Sequence, residues 1–191
     1  MTAHTTDSLD TYSKTIFGFW VYLMSDFLLF ASLFATYFVL HNSTYGGPNS
    51  SQLFNLPCVL VQTLILLFSS YTTGLFTASG YRGQKNKTLV LLGITFVLGA
   101  IFLSMMMSGF TQLVAEGNSW QRSAFLSAFF TLVGVHGAHL SVGLLWIIVL
   151  MVQIFYRGVT RFTFKRMMCL KLFWQFLNIV WVFIFTLVYL M

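Results

Sequence analysis

Five side chains able to do chemistry sit far inside long apolar runs. Asp26 lies in FWVYLMSDFLLFASLF, His136 and His139 in VGVHGAHLSVG, and Gln175 and Asn178 in LKLFWQFLNIVW. A carboxyl and two imidazoles are common parts of acid/base chemistry and proton relays, and imidazoles three residues apart share a helix face from which they could ligate a metal or haem. Several of these readings lack support elsewhere in the chain. Haem held by two histidines needs them on facing helices, and the remaining pair, His4 and His41, falls in the polar first residues and in a turn-rich segment. No Glu-x-x-His pair or Cys/His cluster accompanies the imidazoles, so a metal centre is not expected. A Ser/His/acid set, a GxSxG turn, a phosphate loop and paired carboxylates are likewise not visible. The expectation is a chain with no catalytic set, no metal site and no cofactor of its own.

The segments carrying these groups have lipid as their solvent. Of 191 residues, 58% are hydrophobic and 7% are charged, against roughly 25% charged in an average soluble domain, so polar groups cannot cover a water-facing surface. Five apolar stretches, about 16–40, 57–79, 89–114, 124–156 and 167–190, are each long enough for a hydrocarbon core that needs about 20 helical residues. The fold class expected is therefore all-α, a polytopic bundle of five transmembrane helices. Residues 1–15 read as a short tail and 16–191 as a single five-helix domain. The first apolar run is too long for the core of a signal peptide, so helix one should remain in the mature protein. Lys and Arg alternate between loops: Arg82, Lys85 and Lys87 lie in the second, Arg157, Arg161, Lys165 and Arg166 in the fourth, none in the first and only Arg122 in the third. The positive-inside rule then puts the N-terminus in the cytoplasm and the C-terminus outside. The net charge of +6 belongs to these loops, which argues against a nucleic-acid partner. Cys58 and Cys169 fall near opposite membrane faces, too far apart for a disulfide.

An ionisable residue at mid-bilayer costs at least about 2.5 kcal/mol, so each one needs a reason to be there. At 1.5 Å per residue, Asp26, His136 and Asn178 lie about 15, 18 and 16 Å from the nearer end of their runs. They are expected at one depth, facing one another inside the bundle. Gln175 sits one turn before Asn178, and Lys171 a further turn back can snorkel to the interface. Interhelical packing is favoured over proton transfer for this cluster, because polar contacts between membrane helices commonly serve as glue. Asp26 should then be either the neutral acid or the partner of His136. Gly134, Gly137, Ala138 and Gly143 line helix four with small residues, including the small-xxx-small pair Gly134/Ala138, and are expected to allow close helix packing. Of Trp20, Trp146, Trp174 and Trp181, the sequence does not say which are core and which are interfacial.

Several longer runs carry a family likeness: IFGFWVYLMSD (Ile16 to Asp26), LFATY (Leu33 to Tyr37), FLSAFFTLVGVHGAHLSVGLLW (Phe125 to Trp146), VLMVQI (Val149 to Ile154) and MCLKLFWQFLNIVW (Met168 to Trp181). Together they resemble subunit III of the haem-copper respiratory oxidases, and the five-helix count is closer to the bacterial ubiquinol-oxidase branch than to the seven-helix mitochondrial form. The resemblance implies a multi-pass bacterial inner-membrane subunit of a proton-translocating ubiquinol oxidase. Such a subunit carries no haem or copper, those groups being expected in subunit I. It binds subunit I, in a complex that also holds subunits II and IV, keeps phospholipid in a cleft between helix groups, and supports turnover. Asp26 matches the family's carboxyl-bearing position in helix one. The chain departs from the pattern where FWHFxDVVW is usual, with Gln175 and Asn178, and where glutamates are frequent, with Gln62, Met106 and Gly109. Fewer ionisable groups imply assembly and stabilisation as the main role. Two other readings stay open: a membrane scaffold or assembly protein of another complex, and a small proton channel using Asp26.

Overall fold

The computed structural model describes residues 3–40, 56–115 and 124–189, with side chains from Lys14 onward. The first and third loops, with Glu116 and Arg122, lie outside the described residues, as do the side chains of His4 and His41. Among the described residues the chain is helical: α1 (Ala3–Leu40), α2 (Leu56–Tyr81), α3 (Lys85–Ala115), α4 (Ala124–Arg157) and α5 (Arg161–Ile184), the last running into a π-helical turn at Phe185–Tyr189. Five spans are long and apolar enough to cross a membrane: Lys14–Leu40, Pro57–Tyr81, Lys85–Ala115, Ala124–Arg157 and Arg161–Tyr189.

The helices outrun the apolar stretches. Residues 3–13, within the expected tail 1–15, are helical and continue α1, and α5 begins at Arg161, ahead of the apolar stretch that starts near 167. The reason is that hydropathy reports where lipid is, whereas a helix continues until something breaks it. Between Ala3 and Leu40 there is no proline and only Gly18. The two breaks that lie among the described residues fall at glycines, Gly83 at φ 69° and Gly158 at φ 70°, in the left-handed conformation that ends helices readily only at glycine. Thr160 then caps α5, its hydroxyl accepting from the Thr163 N–H at 3.2 Å, as a helix start requires. At this same end of the bundle Lys85 donates to the Phe155 carbonyl at 2.8 Å, satisfying one of the open carbonyls of α4.

Helices α2, α3, α4 and α5 form a closed ring, each packing on the next and α5 returning to α2; α1 lies outside it, against α4 and α5. The ring is filled by Trp174 and Trp181, both fully buried, with Phe102 edge-on to Trp181 at 4.7 Å between ring centroids. Trp20, by contrast, is exposed and Trp146 packs between Phe19 and Phe173. Lipid tails are as apolar as leucine, so the helices are held by close contact and by polar pairs, not by a drive to leave water. Exposed side chains such as Phe17, Leu28, Val90 and Leu145 form the outer surface.

Small residues admit the indoles. A Cβ at Gly143 would come within 3.1 Å of the Trp174 ring and one at Gly99 within 2.9 Å of both Trp174 and Leu144, while one at Gly137 would run into Met106. Gly137 and Gly143 therefore act as close-packing positions. The small-xxx-small pair does not: Gly134 has open space where its Cβ would stand, and Ala138 is exposed. The spacing was right for a helix contact, but this face of α4 turns away from the ring. Gly99, whose role no spacing pattern announced, carries the tightest indole contact. Gly99→Val should destabilise the protein by about 1–3 kcal/mol through overpacking, whereas Gly134→Ala should change stability by less than about 0.5 kcal/mol, both measurable as thermal unfolding in detergent.

Candidate functional site

The deep polar groups lace helix to helix. On α1, Asp26 turns inward and is 8% exposed. Its partner is His139 on α4, with Nε2 3.8 Å from Oδ2, an ion-pair distance slightly beyond hydrogen-bond reach. The pairing expected from depth, Asp26 with His136, is corrected: the two imidazoles lie on one side of α4 but about 60° apart around its axis, and the neighbours met there differ, Asp26 of α1 for His139 and the Leu177 carbonyl of α5 for His136. His136 is fully buried, and its Nε2–H donates to the Leu177 carbonyl at 3.2 Å with its ring 5.2 Å from Trp181. Asn178 donates from Nδ2 to the Trp174 carbonyl at 3.0 Å, and Gln175 is partly exposed on the outer side of α5. Asp26, His136 and Asn178 thus share a depth but make no hydrogen bond to one another among the described residues.

The geometry of His139 fixes one hydrogen. Its Nδ1 lies 2.8 Å from the Val135 carbonyl, which can only accept, so Nδ1 carries a hydrogen. That leaves Nε2 facing Asp26. Tyr22, one turn before Asp26 on α1, is exposed. Phe30 and Phe173 flank the imidazole at 5.3 and 6.5 Å between ring centroids, and limit water at the pair.

Residues that the sequence reading passed over close the ring. Trp174 Nε1 donates to Ser69 Oγ at 2.9 Å and Trp181 Nε1 to Thr63 Oγ1 at 3.0 Å, joining α5 to α2 in two places. Thr72 and Thr95 join α2 to α3 through hydroxyls 2.8 Å apart. The signal was in the sequence: α2 carries Thr63, Ser69, Thr72, Thr73 and Thr77 on one buried stripe, an unusual density of hydroxyls for a helix in lipid. Cys58 and Cys169 are free thiols. Among the described residues no group of three His, Cys, Asp or Glu side chains is gathered.

This arrangement predicts a specific energetic coupling. In a double-mutant cycle with Asp26→Asn and His139→Phe, unfolding in detergent should reveal a coupling of about 0.6–2 kcal/mol, while the cycle pairing Asp26→Asn with His136→Phe should be close to additive. The reverse ranking would contradict the geometry.

Comparison with known proteins agrees with these features. The family model for cytochrome c oxidase subunit III matches residues 3–191. The chain is 57% identical over 182 residues to the cytochrome bo(3) ubiquinol oxidase subunit 3 of Pseudomonas aeruginosa, covering 95% of this chain and 87% of that one. It is 43% identical over 183 residues to the protein of the same name from Buchnera aphidicola subsp. Baizongia pistaciae, covering 94% and 92%. It is also 44% identical over 174 residues to the cytochrome c oxidase subunit 3 of Bacillus sp. strain PS3, covering 91% and 84%. These names describe one subunit of multi-subunit oxidases, and with five membrane-capable helices they place the chain in the bacterial inner membrane as a multi-pass protein. Matched from Ala3 to its last residue, the chain belongs to the subunit III family of the haem-copper oxidases.

Proposed function

We propose that this chain is the non-catalytic third subunit of a bacterial terminal quinol oxidase, a complex that passes electrons from quinol to oxygen and translocates protons. Its haem and copper belong to subunit I, which this chain braces, in company with subunits II and IV. The observation that carries this reading is the commitment of both imidazoles and the buried acid to helix contacts: His136 to Leu177, His139 to Val135 and Asp26. Side chains so engaged hold a bundle together, and the chemistry then falls to other chains. The orientation that fits has the N-terminus in the cytoplasm, since Arg82, Lys85 and Lys87 share one end of the bundle with Arg157, Arg161, Lys165 and Arg166.

Phospholipid holding is part of the same proposal. Two features support it. Between α1 and α5 runs an apolar groove of about 610 Å³, lined by residues including Trp20, Phe27, Phe34, Phe176 and Phe183, suited to acyl chains. At the basic end of the bundle a pocket of about 710 Å³ is lined by Gln153, Tyr156, Arg157, Thr163 and Arg166, with the Arg166 guanidinium 4.3 Å over the Phe162 ring. Two guanidinium groups at the interface, with an amide and hydroxyls beside them, suit a phosphodiester headgroup.

Gentle extraction should yield the chain in a complex with the visible spectrum of haem, with phospholipid detected by mass spectrometry of the purified material. Arg157→Gln with Arg166→Gln should lower the retained anionic lipid severalfold at unchanged haem content. Recovery of the chain alone and colourless, under conditions that keep its neighbours attached, would overturn the subunit assignment; unchanged lipid in the double variant would overturn the headgroup site alone.

A further inference from the structure

Helix α5 carries a lysine well inside its membrane span. Lys171 stands about 15 Å along the helix beyond Arg161 and about 6 Å short of Gln175, the midpoint of the Arg161–Tyr189 span. Both side chains are partly exposed. One turn apart, they lie about 40° from one another around the axis and share a stripe. Gln175 lines the groove against α1 as well as the groove against α2, so this stripe is the outward ridge between the two and is open to a neighbour.

Among the described residues no ion pair or hydrogen bond engages the Lys171 ammonium or the Gln175 carboxamide. Asp26 is the one acidic side chain described, and it meets His139. The described part of the chain therefore offers Lys171 no counter-charge, and a cation in hydrocarbon is unfavourable unless paired. Helical side chains lean toward the N-terminus, which carries the Gln175 carboxamide over the turn that bears Lys171, where the flexible four-carbon stem is long enough to place the ammonium beside it. Two donors with one positive charge suit an anion with two acceptor oxygens. A carboxylate accepts at both, and its bond to an ammonium is charge-assisted. A lipid phosphate also has the oxygens, but headgroups lie about 15 Å from the midplane, so it would draw Lys171 along its stem toward the basic end and leave Gln175 behind. An acid on a transmembrane helix is held at the depth of its own residue, and ionisable groups inside membranes pair with one another.

We propose that Lys171 and Gln175 together receive an Asp or Glu side chain from a transmembrane helix of a neighbouring subunit, the ammonium taking one carboxylate oxygen and the carboxamide N–H the other. The proposal rests on the chain being one subunit of a membrane complex, and it names a ridge and a charge that this reading leaves open.

The test uses the intact complex in its native membrane and an apolar carbodiimide, which condenses a carboxyl with an adjacent amine into an amide while the reagent takes up the water lost and becomes a urea. Peptide mass spectrometry should find Lys171 joined to one Asp or Glu of another subunit, in a complex that carries haem. Gln175→Leu should lower that yield at least twofold. Lys171→Glu should lower retention of the joined subunit in detergent at least fivefold, and exchange of the identified acid for Lys in the same background should restore it, which a chain that merely misfolds would not allow; failure to restore it counts against the pairing. Lys171 joined to no other subunit, or Lys171→Glu leaving every neighbour in place, in a complex that still carries haem would overturn the pairing and leave the subunit reading intact. A Lys171→Glu variant that loses anionic phospholipid and no subunit would do the same. A chain recovered alone and colourless would instead sink the subunit reading, and the pairing with it.

Discussion

Two indole N–H groups, those of Trp174 and Trp181, must find acceptors in a medium that supplies none, and the hydroxyls of Ser69 and Thr63 answer them. Much of the ring depends on this exchange. Once α5 is tied to α2 at two levels, the space between the four helices is occupied by the same two indoles, and the neighbours must yield room for them. Gly99 on α3 and Gly143 on α4 do so by having no side chain. Phe102 and His136 then pack on Trp181 from α3 and α4. Satisfaction of two donors and filling of one cavity are thus a single solution, reached with large rigid side chains whose polar edge points at a partner.

Helix α1 is attached by different means. It has no place in the ring and reaches α4 and α5 from outside, where its buried acid meets His139. A membrane helix with a mid-bilayer carboxyl is poorly suited to drifting in lipid, and the pair both orients α1 and hides the charge or the acid proton. The carbonyl of Val135 occupies the other ring nitrogen, which leaves Nε2 facing the acid. The contact sets the acid of α1 against α4.

The outer faces divide by chemistry. Beside α1 the α5 surface is apolar and aromatic; on its other side, against α2, the same helix offers two carboxamides at mid-membrane. Gln175 stands on the ridge between the two grooves. One helix therefore carries an apolar face and a face with two carboxamides a few residues apart, a contrast that the hydropathy of the segment averages away.

Much was legible from sequence alone. Five runs of apolar residues dictated five spans because a backbone in hydrocarbon has to bond within itself, and the rarity of charges made Asp26, His136, His139, Gln175 and Asn178 conspicuous as groups needing partners. Depth along each helix followed from a fixed rise per residue. Rotation about each helix axis did not, because it is set by what the neighbours offer. For that reason only the tertiary structure decided that Asp26 meets His139 and not His136, that Gly99 receives an indole while Gly134 faces open space, and that Thr63 and Ser69 of α2 are acceptors for α5. Apolar runs mark the lipid and not the helix: polar residues at the membrane surface leave the lipid without leaving the helix, and the turns after α2 and α4 come where Gly83 and Gly158 take a left-handed conformation.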